Sequence, residues 1–201
     1  MAVSDLASLK RTLLRVMIVA LCVTALVAIA AVLSASFDRT EAQVLLTHLA
    51  VAVYSLFALS MAAVSERRPR LAAVGWATCG LGLALALLTI WVDWSEDRVN
   101  LYRWMLIMLA ASFTLAHVAL IEARRRASDG PAVRSIATAT TVLAAFVGAL
   151  IALGLSADQA VSEGYFRLLG VVGVLDLLGT LVLPIARKIE QPRAGAPAAD
   201  R

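Results

Sequence analysis

One stretch, residues 71–126, decides the fold: LAAVGWATCGLGLALALLTIWVDWSEDRVNLYRWMLIMLAASFTLAHVALIEARRR. It contains two apolar runs, 71–92 and 101–121, joined by an acidic turn at 93–97 and followed by three arginines, Arg124, Arg125 and Arg126. Each run is about 20 residues long, and at ~1.5 Å per residue a helix of that length crosses a hydrocarbon layer of about 30 Å. The stretch therefore predicts a transmembrane helical hairpin.

The same plan occurs once before and once after this stretch, so the sequence predicts three helical hairpins. The predicted fold is an all-α integral membrane protein with six transmembrane helices and no soluble domain. The six-helix bundle covers 1–190, and a disordered cytoplasmic tail rich in Ala, Pro and Gly covers 191–201. The predicted helices run at about 14–36, 42–64, 71–92, 101–122, 133–155 and 165–186.

The first apolar run follows a basic flank, so a cleavable signal peptide is the alternative to a first helix. The run is longer than the roughly 7–15 apolar residues of a signal peptide, and a second span follows at once. We therefore expect a first helix that is retained.

The composition favours a membrane environment. Of the 201 residues 61% are hydrophobic and the mean hydropathy is +0.86, whereas soluble domains are about 45–50% apolar. The net charge of +4 and the pI of about 9.6 do not indicate nucleic-acid binding, because 14 of the 18 basic residues fall on one side of the predicted membrane. They are Lys10, Arg11, Arg15, Arg67, Arg68, Arg70, Arg124, Arg125, Arg126, Arg134, Arg187, Lys188, Arg193 and Arg201. This bias predicts a multi-pass protein of a bacterial-type cytoplasmic (inner) membrane, with both termini cytoplasmic.

A weak internal repeat accompanies the three hairpins. A shift of 57 residues sets Arg11 on Arg68, Cys22 on Cys79, and Arg67 on Arg124. Because identity is low, the alternation of apolar runs and arginines accounts for much of this match. The repeat stays a hypothesis.

Polar residues inside the predicted spans are the candidate site. Asp176 lies about eleven residues into the sixth predicted helix, near the bilayer midplane. A carboxylate there costs about 3 kcal/mol, so we expect Asp176 to face the bundle interior, with Thr180 on the same stripe. His117 lies within about one and a half turns of this depth and becomes its partner if the fourth and sixth helices touch. Asp176 and His117 are the main candidates, with His48 and Thr180 weaker. Such an acid is either a proton, cation or substrate site or a carboxyl hydrogen-bonded to a neighbouring helix.

No cofactor or metal is expected. His48 and His117 differ in depth by about 15 Å, which is too far for one haem. Cys22 and Cys79 lie mid-helix without a CxxC or Cys/His spacing, so they are expected to behave as small hydrophobes.

Small and aromatic residues predict contacts within or between chains. The small residues are Gly75, Gly80, Gly82, Ala84, Gly148, Ala152, Gly170 and Gly173. We expect them to make bundle contacts, the alternative being a membrane-protein partner or self-association through glycine-rich helix faces. Trp91, Trp94, Tyr102 and Trp104 form an aromatic belt or a docking site for a lipid, quinone, pigment or partner helix.

The function expected from these patterns is non-catalytic. The sequence contains no HExxH, GxSxG or P-loop motif. We favour a structural or accessory component of a membrane assembly. The alternative is a small channel or a proton- or cation-coupled transporter that uses Asp176. Transporters usually carry more polar groups and a central helix break, whereas Pro184 is near a helix end.

Overall fold

In the computed structural model of the protein the described residues are 38–92, 98–157 and 162–190, with scattered positions between 12 and 29. This part of the chain is all-helical. Each of its five helices is long and apolar enough to cross a membrane. They are α1 (Arg39–Val64), α2 (Pro69–Trp91), α3 (Arg98–Arg124), α4 (Pro131–Ser156) and α5 (Glu163–Glu190). They correspond to the second to sixth predicted helices.

Other predictions fall mostly or wholly on residues that are not described. The first predicted helix, about 14–36, is described only at scattered positions, and those positions are helical. The acidic turn at 93–97 and the tail at 191–201 lie outside the described residues.

All five helices begin before their predicted apolar limits, and α3, α4 and α5 also end after them. The α1 helix begins at Arg39 because the Asp38 carboxylate caps it, accepting a hydrogen bond from the Glu41 backbone N–H at 2.8 Å. The α2 and α4 helices begin at Pro69 and Pro131, where a missing N–H costs nothing. Apolar runs mark the width of the hydrocarbon layer, whereas caps and prolines mark where a helix starts.

The bundle is built by packing each helix on its predecessor. The α1, α2 and α3 helices contact one another and form the main core, α4 packs on α3, and α5 packs on α4. The main core contains Tyr54, Phe57, Met61, Val64, Ala72, Cys79, Ala86, Ala116 and Ala119. A second core cluster joins the last three helices through Ile121, Val133, Ala137 and Leu183.

Some of the small residues make the close contacts that were predicted. A Cβ added at Gly82 would lie 2.6 Å from the Tyr54 hydroxyl oxygen, and one added at Gly75 or Gly148 would overlap Met61 or Thr114. These glycines let side chains of a neighbouring helix lie directly on the backbone.

Gly80, Gly170 and Gly173 make no such contact within the described chain, because none of its heavy atoms lies within 4 Å of an added Cβ there. Whether they contact the first predicted helix or a partner stays a prediction. The contact on α5 is made instead by Gly179, where an added Cβ would lie 3.2 Å from the Thr140 Cβ. The physical reason is the rotation of α5 about its axis, which turns the Gly179 side of the helix toward α4.

The arginine end of the bundle, defined by the loops at 65–68 and 125–130, is tied by ion pairs. Arg187 of α5 lies 3.1 Å from the Asp129 carboxylate, which also accepts a hydrogen bond from the Arg126 backbone N–H at 2.8 Å. Burial raises the pKa of Asp129, but the Arg126 N–H and the Arg187 guanidinium outweigh burial and hold this pKa below its usual value. Asp129 is therefore ionised at neutral pH, and α5 is fastened to the loop between α3 and α4.

Candidate functional site

The candidate site lies where α3 meets α5. His117 belongs to α3, and Asp176 and Thr180 belong to α5, one helical turn apart. The two helices are not packed along their length, since α5 rests mainly on α4. The sequence left open whether α3 and α5 meet. They meet through the side chains of His117, Asp176 and Thr180, and both helices also contribute to the second core cluster through Ile121 and Leu183.

Two polar groups converge on one nitrogen atom of His117. The His117 Nε2 lies 3.4 Å from the Asp176 Oδ2 and 3.2 Å from the Thr180 hydroxyl oxygen. The Thr180 hydroxyl donates its proton to the Asp176 backbone carbonyl at 3.0 Å. Because that proton is already used, the hydroxyl oxygen accepts from His117, which requires a proton on Nε2. We call these three residues the polar cluster.

The surroundings of the polar cluster are apolar. The Phe113 ring lies parallel to the His117 ring, with centroids 6.4 Å apart. A cleft of about 310 Å³ beside His117 is lined by residues of α1 and α3, of which Ser60 is the only other polar one. The second carboxylate oxygen of Asp176, Oδ1, is buried and has no hydrogen-bond partner among the described residues. A proton or a small cation would find one open acceptor here.

Among the described residues, the polar cluster has groups that can hold a proton and lacks a third metal ligand. In the described ranges, no three His, Cys, Asp or Glu side chains come close enough to hold a metal ion. The apolar lining beside His117 offers no run of polar groups leading away from the cluster within the described chain. The arrangement can therefore join two helices or bind one proton.

The other polar candidates stay apart from this cluster. His48 uses its Nδ1 to hydrogen-bond the Val44 carbonyl of its own helix at 2.8 Å. Cys79 is buried, Cys22 is exposed, and both are free thiols.

The aromatic residues lie at the end of the bundle opposite the arginines. Trp91 donates from its indole N–H to the Thr47 hydroxyl at 2.9 Å and is half exposed, as are Tyr102 and Trp104. Trp94 lies outside the described residues. Exposed aromatic rings, with a polar group that can hydrogen-bond, are typical of the membrane interface.

Sequence reasoning missed two buried hydroxyls. Tyr54 is 4% exposed and Ser112 is 0% exposed. The Tyr54 hydroxyl has no hydrogen-bond partner in the described chain, whereas the Ser112 hydroxyl lies against the Cys79 thiol. The position of Tyr54 in the sequence could have revealed it. Tyr54 lies far from both ends of its predicted span, whereas the aromatic residues of an interfacial belt lie near the ends. Glu122, which lies within 3.5 Å of Arg68 and 3.0 Å of Arg125, was also missed.

The fold and the polar cluster together describe a multi-helix protein with five helices suited to a membrane and a histidine–carboxylate contact among them. Comparisons with models of protein families, with curated proteins and with solved structures find no match.

Proposed function

We propose that the chain is a six-span protein of a bacterial-type inner membrane, built as three hairpins, with both termini in the cytoplasm. Five span-length helices, helical positions between 12 and 29, and the one-sided arginines support this arrangement. Reporter fusions after Asp38, Asp97 and Asp158 should report the outside, and fusions after Arg68 and Ser128 the cytoplasm. One reversed report contradicts the topology.

The function proposed is that of a non-catalytic structural or accessory component of a membrane assembly. The observation that carries this proposal is the open face of α5, defined by Gly170 and Gly173. An added Cβ at either glycine would meet no heavy atom of the described chain within 4 Å, and α5 is the least buried of the five helices. Small residues on a helix face within the membrane allow a helix of another protein to approach closely. Van der Waals contact then drives association.

In this proposal the polar cluster has a structural role. It joins α5 to α3 in addition to the second core cluster, so it helps to fix the direction in which the open face points. An assembly component needs a face held at a constant angle, and a hydrogen-bonded contact inside lipid supplies such a constraint.

Purification from the native membrane in mild detergent tests the proposal, with wild type beside Gly173→Leu and Gly80→Leu. A stoichiometric set of membrane subunits should co-purify with the wild-type protein. Gly173→Leu should bind them about five- to a hundredfold more weakly, because the added side chain separates the helices. Gly80→Leu is the control, since an added Cβ at Gly80 also meets no neighbour in the described chain but Gly80 lies on α2. A lone wild-type protein or homo-oligomer, or subunits retained in full by Gly173→Leu, would contradict the proposal.

A small channel or a proton- or cation-coupled transporter is the second candidate. The observation in its favour is that Asp176 Oδ1, beside a histidine within a predicted span, has no hydrogen-bond partner in the described part of the chain. In such a protein Asp176→Asn should fold normally and lose flux in reconstituted vesicles, because an amide does not titrate. In an assembly component the same variant should still assemble.

A further inference from the structure

Two clefts meet on the side of α3 that carries His117. The cleft beside His117, of about 310 Å³, lies between α1 and α3, and a second cleft of about 390 Å³ lies between α1, α3 and α4. Phe57 and Phe113 line both clefts, so the two spaces meet at these rings. We call the joined space the His117 groove. Each of its two volumes is within the range of small-molecule sites.

The His117 groove is long and open on one side. On α3 its wall runs from Leu106 to Leu120, which is about 21 Å of helix. Large apolar side chains in the wall remain exposed, with Leu56 at 50% and Phe113 at 60%. A lipid-soluble molecule can therefore enter the groove from the side, and the groove is long enough for an extended hydrocarbon chain.

Two polar side chains, His117 and Ser60, belong to the otherwise apolar wall of the groove, and both lie in the cleft nearer the arginine end. The Ser60 hydroxyl donates its proton to the Leu56 carbonyl at 3.1 Å. Because that proton is used, Ser60 offers only its oxygen, which is an acceptor.

The His117 ring also offers an acceptor. Its Nε2 carries the proton that contacts Thr180, and in a neutral imidazole this leaves Nδ1 with a free lone pair. No described residue donates a hydrogen bond to Nδ1. The His117 side chain is 23% exposed, and none of the buried unpaired polar atoms of the described chain belongs to it. Nδ1 is therefore accessible, on a residue that lines the groove.

We infer that the His117 groove binds one lipid-soluble alcohol, a molecule with a long apolar body and a hydroxyl group. The hydroxyl donates to the His117 Nδ1, and the apolar body lies along α3 past Phe113 toward Leu106. The occupant is chosen by complementarity, because both polar groups of the wall accept hydrogen bonds and neither has a proton left to donate to the groove. An ether or a hydrocarbon of the same length would leave Nδ1 unpaired.

Three probes of nearly equal size test this inference on the full chain: oleyl alcohol, oleyl methyl ether and octadecene. The chain is purified in an amine oxide detergent, which carries no hydroxyl group. Native mass spectrometry gives the stoichiometry, and the rise in Tm with ligand concentration gives the affinity. One molecule of oleyl alcohol should bind saturably. It should bind about three- to tenfold more tightly than the ether or octadecene, the change expected for one neutral hydrogen bond.

Three variants make the test specific to the groove. His117→Phe keeps a ring but no acceptor, so it should bind the alcohol only as tightly as the ether. Ala63→Phe places a ring inside the cleft beside His117 and should abolish saturable binding. Ala73→Phe is the matched control, at an exposed position of α2 and a similar distance from the arginine end, and should bind as wild type does.

The inference is overturned if oleyl alcohol does not bind saturably, or if the ether binds as tightly as the alcohol to the wild-type protein. A preference for the alcohol that persists in His117→Phe would also overturn it. The comparison of alcohol with ether needs no variant, so the test stays decisive if His117→Phe or Ala63→Phe does not fold. The result is independent of the proposed assembly, whose test uses Gly173 on α5.

Discussion

Gly179→Leu should lower the free energy of unfolding in detergent by about 1–3 kcal/mol, the usual cost of overpacking. Thr140 of α4 lies against Gly179 and is itself 1% exposed, with its hydroxyl donating to the Ile136 carbonyl at 2.9 Å. Neither the side chain nor the backbone behind it has room for a leucine, so α5 would have to move away from α4.

Gly173→Leu is the matched substitution on the same helix. It should change the free energy of unfolding by less than about 0.5 kcal/mol, because Gly173 faces open space in the described chain. Thermal or denaturant unfolding of both variants measures the difference. Equal destabilisation of the two proteins would mean that the rotation assigned to α5 is wrong.

Asp176→Leu should destabilise the protein by about 1–3 kcal/mol, because it removes the carboxylate contact of the partly buried His117 ring, which keeps only the weaker Thr180 oxygen. Asp176→Asn keeps an acceptor oxygen and should cost less. The expected order of stability is wild type, Asn, Leu, measured by unfolding in detergent. If Asp176→Leu were the most stable protein, removing a carboxyl group from the membrane would stabilise the protein by more than the loss of the contact between His117 and Asp176 destabilises it. The structural role proposed for the polar cluster would then be wrong.

A double-mutant cycle separates the contact from other effects of the same changes. His117→Leu and Asp176→Leu should together cost less than the sum of the single costs, by about 0.5–3 kcal/mol, because the residues are in contact. His48→Leu is the control for loss of a membrane histidine, since His48 bonds only within α1 in the described chain. Strict additivity of His117 and Asp176 would rule out the contact.

Much of the architecture follows from the sequence, because an apolar run of the right length has few alternatives to a spanning helix. Depth along a helix is also readable, since residues are counted at a fixed rise. That is why His117 and Asp176 were placed within reach of each other. Whether α3 and α5 touch depends on the order of helices around the bundle, which residue counting does not give.

Rotation and tilt were the parts that the sequence did not determine. The α5 helix carries glycines on more than one side, and only packing decides that Gly179 faces α4 while Gly173 does not. An apolar face looks the same in sequence whether a helix or a ligand covers it.

Each helix after α1 packs against the helix synthesised just before it, and α3 also returns to α1. A chain that emerges from the ribosome one helix at a time therefore meets, at each step, a neighbour that is already in the bilayer. Short connections such as 65–68 keep the entropy lost in closing each pair small. The contact between His117 and Asp176 is different, because His117 waits through the synthesis of α4 for its partner on α5. Until then the histidine has only Phe113 and the lipid-level cleft beside it, so the polar cluster forms at the end of synthesis.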